Sequence, residues 1–582
     1  MAARLSSSAL SRTFTAGSST SIRSSLSSRT AGLATLATFR VPDINNEPNK
    51  HYVKGSSDRK GLSDALQAFK QRAPLQVPAV VAGKHISKNT QTQFDPSDHQ
   101  CPVAEWSQAD AKDVDAAVDS ALAAKKEWEN LPFADRAAIF LKAADLISGK
   151  YRYDIMAATM AGQGKNAWQA EIDSAAESCD FLRFNVKYAQ ELYATQPIHN
   201  APGVWNRVEY RPLEGFVYAI TPFNFTAIAA NLPSAPVLMG NVCVWKPSPS
   251  AMASNWLVYQ ILLEAGLPPN VIQFVPGDAE EVTRSVLARP EFAALHYTGS
   301  TAVFKSLYGK IASGVSDGTY TSYPRIVGET GGKNYHLLHP SANPTNAALQ
   351  TVRGAFEYQG QKCSACSRAY VPSSLSAPFF STLVSATKAL SIGPPSDFSN
   401  FIGPVIHRAS FDKLRSAIDA AKDDPELTLL AGGTYDDSKG YYIHPTIYKT
   451  TNPHHPLMKT ELFGPILVVH EYDDADATSS FSDMCDTIDG TTSYALTGAV
   501  FAKDRSAIRS AEEKLRNSAG NFYVNTKCTG AVVGQQPFGG ARGSGTNDKA
   551  GSQNLLGRFV SARAVKEEFV EIGGVEYPSN EV

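Results

Sequence analysis

The chain lacks any apolar run of the roughly 20 residues that a membrane-spanning helix needs. Its most apolar stretch, Ala227 to Trp245, is interrupted by Asn231, Pro233, Pro236 and Gly240, and is expected to be buried core. It also lacks an excess of either charge: 54 Lys and Arg stand against 56 Asp and Glu, a formal net charge of −2. That leaves no electrostatic basis for a nucleic-acid partner. Cysteine is scarce, with seven in 582 residues, odd in number and scattered. Such usage makes a poor disulfide framework and suits a reducing compartment. The lone C-x-x-C, Cys363 and Cys366, is followed by no second pair and no histidines at ligand spacing, so no metal is expected there. Its setting, GQKCSACSR, does not read as a thioredoxin-like redox pair either. Finally, there is no G-x-G-x-x-G, the usual dinucleotide fingerprint, and no acidic residue before Asp43.

The acid-free start is informative. Arg4, Arg12, Arg23, Arg29 and Arg40 lie among many serines, a composition that predicts a mitochondrial transit peptide over residues 1–40 and a mitochondrial matrix address. The remaining length calls for two or three domains. Val114, Ala117, Val118, Ala121 and Leu122 recur at helical spacing. Pro132 is placed to open a second helix whose apolar face uses Ile139, Phe140, Ala143 and Leu146, with Gly149 as its stop. From residue 215 the period changes. Strands are expected over 215–220, 241–245, 271–275 and 294–297, with a helix over 251–265. This alternation predicts a parallel βαβ sheet, and in such sheets ligands bind beyond the carboxyl ends of the strands. Lys246, Gly277 and the Gly299-Ser300 turn fall at those ends. Strand and helix alternate again over 330–530, pointing to a second α/β domain.

Four places carry residue types suited to chemistry: Asn224 in ITPFNF, Glu329 in GETGGKN, Cys363 in GQKCSACSR and Glu461 in ELFGP. Oxidation of an aldehyde needs a thiolate to attack the carbonyl carbon and an amide N–H to meet the resulting oxyanion. It also needs a carboxylate to activate water against the thioester, and an oxidised nicotinamide. Taken singly, a cysteine is an inert hydrophobe, a glutamate before Thr-Gly-Gly begins a turn, and an asparagine after a strand caps a helix.

Taken together, the four motifs resemble, in order and spacing, the aldehyde dehydrogenase superfamily, from about residue 70 to 570. The resemblance implies an α/β fold with a Rossmann-type cofactor domain (41–192 and 214–329), an α/β catalytic domain (330–543), and a small oligomerisation flap and tail (193–213 and 544–582). It implies Cys363 as nucleophile, Asn224 with the Cys363 backbone N–H as oxyanion hole, and Glu329 as the base for deacylation. It implies NAD as cofactor, with Lys246 and Glu461 on its riboses and Thr221, Gly299, Ser300 and Thr301 near its pyrophosphate. Many members have glycine where this chain has Phe304, and an acidic residue where it has Pro249. The tail from Lys527 through Gly530, Ala531 and Phe538 to Lys549, with FEYQGQKCSACSR and the Gln163–Asp173 segment, is similar to the branch of the family that acts on glutamate γ-semialdehyde. In that branch Ser364 and the Gly530-Ala531 loop hold the α-carboxylate and amine, and Phe225 and Phe538 wall the aldehyde; backbone N–H groups in a glycine loop make an anion nest. Partners implied are a small-molecule substrate and further copies of the chain in a homo-oligomer. Rival readings are an enzyme for another small aldehyde, a retired member kept for binding, and a coenzyme A-acylating enzyme, which has no use for Glu329.

Cys363→Ala is expected to abolish dehydrogenase turnover while leaving the fold and the Kd of NAD nearly unchanged, whereas Cys366→Ala stays active. Steady-state NADH formation and NAD titration check this, and equal loss in both variants would restore a paired role for the C-x-x-C.

Overall fold

The computed structural model describes residues 39–581; the expected transit segment lies outside the described residues except for Phe39 and Arg40. Two seven-stranded sheets organise the chain. In the first, the strands run Arg325–Glu329, Phe292–Thr298, Phe216–Ile220, Cys243–Lys246, Ile272–Phe274, Ala79–Val81 and Lys84–Ile86. The first five are mutually parallel and the last two antiparallel. Helices Thr226–Leu238, Met252–Ala265 and Ala279–Leu287 connect successive strands, as parallel pairing requires. The stretch Ala227–Trp245 is buried core, with Pro233 and Pro236 inside its helix.

The strand expected from Asn241 begins instead at Cys243. Asn241 is occupied elsewhere: its Oδ1 accepts from Leu213 N at 2.9 Å, and its Nδ2 donates to Pro236 O at 2.9 Å and Phe559 O at 2.8 Å. The side chain pins three segments, and its own backbone turns the corner before the strand starts. The two helices read from the amphipathic pattern are Ala111–Asn130 and Phe133–Ser148, the second opening after Pro132 and ending at Gly149.

The second sheet runs Leu427–Ala431, Thr446–Thr450, Ile466–Tyr472, Cys366–Pro372, Asn334–Leu338, Thr497–Phe501 and Asn521–Val524. Only its first strand is antiparallel to its neighbour. The chain crosses from the first sheet to the second between Glu329 and Asn334, so GETGGKN is the junction. A separate two-stranded ribbon pairs Val204–Pro212 with Val560–Glu568. Leu555, Leu556 and Phe559, just ahead of that second strand, pack into the core of the first sheet.

A one-turn π-helix, Glu171–Glu177, interrupts the helical run before Ser178–Tyr193; such insertions re-aim side chains. Here the beneficiary is Asp173. Its buried carboxylate accepts from Lys165 Nζ at 2.7 Å, from Thr226 N at 3.0 Å and from Ala227 N at 2.8 Å. A carboxylate from a distant helix thus caps the helix that follows Asn224 and Phe225. Asp173→Ala leaves both a bare helix end and an uncompensated buried ammonium, and should cost about 3–5 kcal/mol. Urea unfolding measures it, and a loss below about 1 kcal/mol would contradict this reading of the cap.

Candidate active site

The turn at Cys363 is prepared by the backbone ahead of it. Tyr358, Gln359 and Gly360 are three successive residues at positive φ, 51°, 54° and 66°, a conformation that costs energy outside glycine and persists only where surroundings fix it. They are fixed. Tyr358 Oη donates to Gln163 O at 3.0 Å, and Gln359 Nε2 donates to Gly164 O at 3.0 Å and Pro404 O at 2.8 Å. The Cys363 carbonyl then accepts from Asn334 Nδ2 at 2.7 Å, which also donates to Ala365 O at 2.9 Å. Asn224 Nδ2 reaches the same turn, donating to Gln361 O at 3.1 Å. Burial pushes the Cys363 thiol up to about 12, and the carboxylates of Glu329 and Glu461 add to the rise, while a backbone hydrogen bond at Ser364 opposes it. At rest the sulfur is a neutral thiol.

Glu329 ends its strand with Oε2 accepting from Gly540 N at 3.0 Å. Burial holds its carboxyl well above the usual range, against that hydrogen bond and the charge of Lys549. Glu461 lies on the far side of the junction, where Oε1 accepts from Gly332 N at 2.9 Å. Burial raises it too, and its carboxylate occupies the place where a side chain on Gly331 would go.

At the carboxyl ends of the first sheet, Lys246 is buried and its Nζ donates to Pro247 O at 3.5 Å. Desolvation lowers its ammonium to about 8, with Asp278 opposing. Thr221 Oγ1 accepts from Trp245 Nε1 at 2.9 Å. Ser300 caps the helix Thr301–Ser316 through Val303 N at 3.4 Å, and Thr301 Oγ1 accepts from Gly331 N at 3.3 Å. A buried donor that forms no ion pair among the described residues and a helix start beyond a parallel strand suit the hydroxyls and phosphates of a dinucleotide, so these residues fit NAD. Phe304 stacks on Tyr297, ring centroids 5.4 Å apart, and its ring covers Gly328; it is a packing residue that glycine could not replace without a void.

The substrate-side residues come together. Phe225, Glu329, Cys363, Ser364, Gly530, Ala531 and Phe538 all line one cavity of about 410 Å³. Asn224, Thr221, Lys246, Gly299, Ser300, Thr301 and Glu461 are not on its wall. Ser364 Oγ and Thr529 Oγ1 are 2.7 Å apart, and Gly530 has φ 100°, which turns the loop as only glycine does readily. Lys165 Nζ lies 4.0 Å from the Phe225 ring centroid.

Sequence reasoning missed the charges around this cavity. Lys362 and Lys527 line it and share one carboxylate, that of Glu357, at 3.1 Å and 2.7 Å. Glu357 is held down to about 2 by those lysines against its own burial, so the trio carries a net positive charge beside the cavity. Glu177 also borders it. These groups come from segments nearly 350 residues apart in the sequence, and no local spacing marks them. Glu357, Lys362 and Lys527 lay inside segments quoted above without their charges being singled out, and Glu177 lay in none.

The chain matches the aldehyde dehydrogenase family over residues 84–565. It is 68% identical over 549 residues to the mitochondrial delta-1-pyrroline-5-carboxylate dehydrogenase of Emericella nidulans, covering 94% of this chain and 96% of that one. The human mitochondrial protein of the same name is 46% identical over 536 residues, covering 92% and 94%. Among solved structures, the delta-pyrroline-5-carboxylate dehydrogenase of Mycobacterium tuberculosis bound with NAD matches with a TM-score of 0.89 at 46% identity, covering 94% of this chain and 100% of that one.

Burial, reinforced by the Asp173 charge, pushes the Glu177 carboxyl from its ordinary 4.5 up to about 8. A carboxyl with a raised folded value contributes stability that is complete below its unfolded pKa and is lost as pH rises through the folded one. Between pH 4.5 and 8 this group therefore withdraws stability. Glu177→Gln, which cannot ionise, should be increasingly favoured over the parent as pH rises through that window. Urea unfolding near its two ends reads the difference, and a constant difference would contradict the assignment.

Proposed function

The chain belongs to the aldehyde dehydrogenase family, and from that premise we infer that it oxidises L-glutamate γ-semialdehyde, the open form of 1-pyrroline-5-carboxylate, to glutamate with reduction of NAD, in proline catabolism. The observation that carries the inference is the single cavity onto which Cys363, Glu329, Ser364 and the Gly530-Ala531 loop open together.

The residues divide the work as follows. Cys363 releases its proton to solvent water and its sulfur attacks the aldehyde carbon. The oxyanion that forms is met by Asn224 Nδ2 and the backbone N–H of Cys363; preorganised donors of this kind are strongest where water is excluded. NAD, held by Lys246, Glu461, Thr221 and the Gly299-Ser300-Thr301 turn, supplies when bound the hydride acceptor that turns the thiohemiacetal into a thioester. Glu329 then takes a proton from water, which attacks the thioester carbon, and Cys363 leaves as thiol with glutamate released. The role needs Glu329 ionised, and the Gly540 N–H and the charge of Lys549, which oppose the effect of burial, favour that form.

The distal end of the substrate carries an α-carboxylate. The backbone N–H groups of Gly530 and Ala531 and the hydroxyl of Ser364 are its anchors, and the net positive charge of Lys362, Lys527 and Glu357 draws it to that end. Phe225 and Phe538 shield the aliphatic chain. In this reading 41–192 and 214–329 form the cofactor domain, 330–543 the catalytic domain, and 193–213 with 544–582 the flap and tail. The exposed ribbon, followed by the exposed Phe569, Val570 and Ile572, supports assembly of several copies through the flap, because an isolated two-stranded ribbon is marginal in water. Mitochondrial relatives and the Arg- and Ser-rich leader support a mitochondrial location, and we place the enzyme in the matrix, where an oxidation delivering glutamate and NADH is of use.

Ala531→Leu should raise the KM for glutamate semialdehyde while sparing the Kd of NAD, because the larger side chain enters the carboxylate's space. Losing a charged hydrogen bond, about 1.5–3 kcal/mol, corresponds to roughly tenfold or more. Preference over a simple aldehyde of similar length should shrink in parallel. An unchanged preference would remove the loop from substrate recognition.

A further inference from the structure

Cys366 and Cys528 play no part in the reaction described above, yet their sulfurs and a ring nitrogen of His336 all lie within 4.8 Å of one another. All three residues are buried. Cys366 opens the strand Cys366–Pro372 next to the strand Asn334–Leu338, which carries His336. Cys528 follows the strand Asn521–Val524 and immediately precedes the Thr529-Gly530-Ala531 loop.

A metal ion is one use for such a group, but the imidazole is already committed. His336 Nδ1 lies 2.8 Å from Thr351 Oγ1, whose own proton goes to Ala347 O at 2.7 Å. Nδ1 therefore carries the ring hydrogen, and Nε2 accepts the backbone N–H of Cys528 at 3.1 Å. No ring lone pair is left for a cation, and two sulfurs fall short of the four ligands of a structural zinc site. What remains is a pair of facing thiols on two different segments.

We propose that Cys366 and Cys528 are a redox-modification site, joined as a disulfide by a hydroperoxide that enters through the active-site cavity. The route is short. Lys527 and Thr529, on either side of Cys528, line the cavity, as does Ser364, whose carbonyl oxygen is 3.5 Å from Cys528 Sγ. The two sulfurs differ in access. Cys528 lies between the cavity-lining Lys527 and Thr529, whereas Cys366 opens a strand of the second sheet behind it. Cys528, nearer the cavity, is the thiol that meets the peroxide. Its sulfur takes the terminal peroxide oxygen, the O–O bond breaks, and an alcohol (water, from hydrogen peroxide) departs, leaving Cys528 as sulfenic acid. The Cys366 sulfur attacks that sulfur, the S–O bond breaks, and the hydroxyl leaves as water with the Cys366 proton. Two thiols lose two electrons in total, and the peroxide gains them. The bond ties the loop bearing Thr529 and Gly530 to the strand that follows the Cys363 turn.

The test uses the full chain with NAD, treated with hydrogen peroxide, quenched with iodoacetamide and digested without reductant. The expected result is a peptide linking Cys366 to Cys528, with two alkylatable thiols lost per chain and regained with dithiothreitol. Cys528→Ser, close in size, should lose the linked peptide; if that variant fails to fold, the peptide map of the unaltered chain decides alone. Alkylation of both Cys366 and Cys528 after Cys363 has been oxidised would overturn the proposal, as would a link from either one to Cys363. Stoichiometric zinc in the purified chain, lost with Cys528→Ser, would overturn it in favour of a metal site. None of these outcomes depends on which aldehyde the enzyme oxidises.

Discussion

One side-chain amide holds the site in register. Asn334 is 2% exposed. Its Nδ2 donates to Cys363 O at 2.7 Å and to Ala365 O at 2.9 Å, and its Oδ1 accepts from Thr497 N at 3.0 Å. A primary amide offers two N–H groups and one carbonyl oxygen, so its polar groups are all engaged. Through these bonds the turn carrying Cys363 is fastened to two neighbouring strands of the second sheet. Gly332 permits the close approach, since a Cβ there would come within 2.6 Å of the Cys363 carbonyl oxygen. Asn334 also ends the same seven-residue segment in which Glu329 stands second. The Cys363 thiol and the Glu329 carboxyl are therefore positioned by the short piece of chain that leads from the first sheet into the second.

Around that piece the dominant electrostatic effect is desolvation by the surrounding protein. Burial is the first cause of the raised values at Cys363, Glu329, Glu461 and Glu177 and of the lowered value at Lys246. Burial disfavours the charged form of acids, thiols and lysines alike, and it strengthens any dipole aimed at a charge that forms during reaction. The exception is Glu357, which two lysines keep ionised. Charge is thus concentrated at the end of the cavity where a carboxylate would lie and suppressed where the carbonyl would react.

Much of this was legible in the sequence, for a physical reason: buried parallel strands read as short apolar runs closed by Gly or Pro, and residues at their carboxyl ends are close in sequence to the signals that end them. Lys246 and the Gly299-Ser300 turn are of that kind, whereas the strand that ends at Glu329 was not among those read from the pattern. The motif residues Phe225, Cys363, Ser364, Gly530 and Phe538 needed the resemblance, because no local period brings them to one cavity. Asn334 was inside a quoted motif but silent, as its work is tertiary. Glu177, Lys362 and Glu357 were silent too, since a charge takes its meaning from partners that only folding supplies. Asn241 shows the converse: its side-chain bonds moved a strand start that the apolar pattern alone had put two residues earlier.

If Glu329 serves only to activate water against the thioester, the two halves of the reaction can be separated in time. Rapid mixing of Glu329→Gln with NAD and glutamate semialdehyde should give a stoichiometric burst of NADH at near the parent's rate. Steady turnover should then be slowed by about 10²–10⁴-fold, the usual contribution of a general base. Loss of the burst together with the steady rate would put Glu329 in the first half-reaction and contradict the division of roles between thiol and carboxylate.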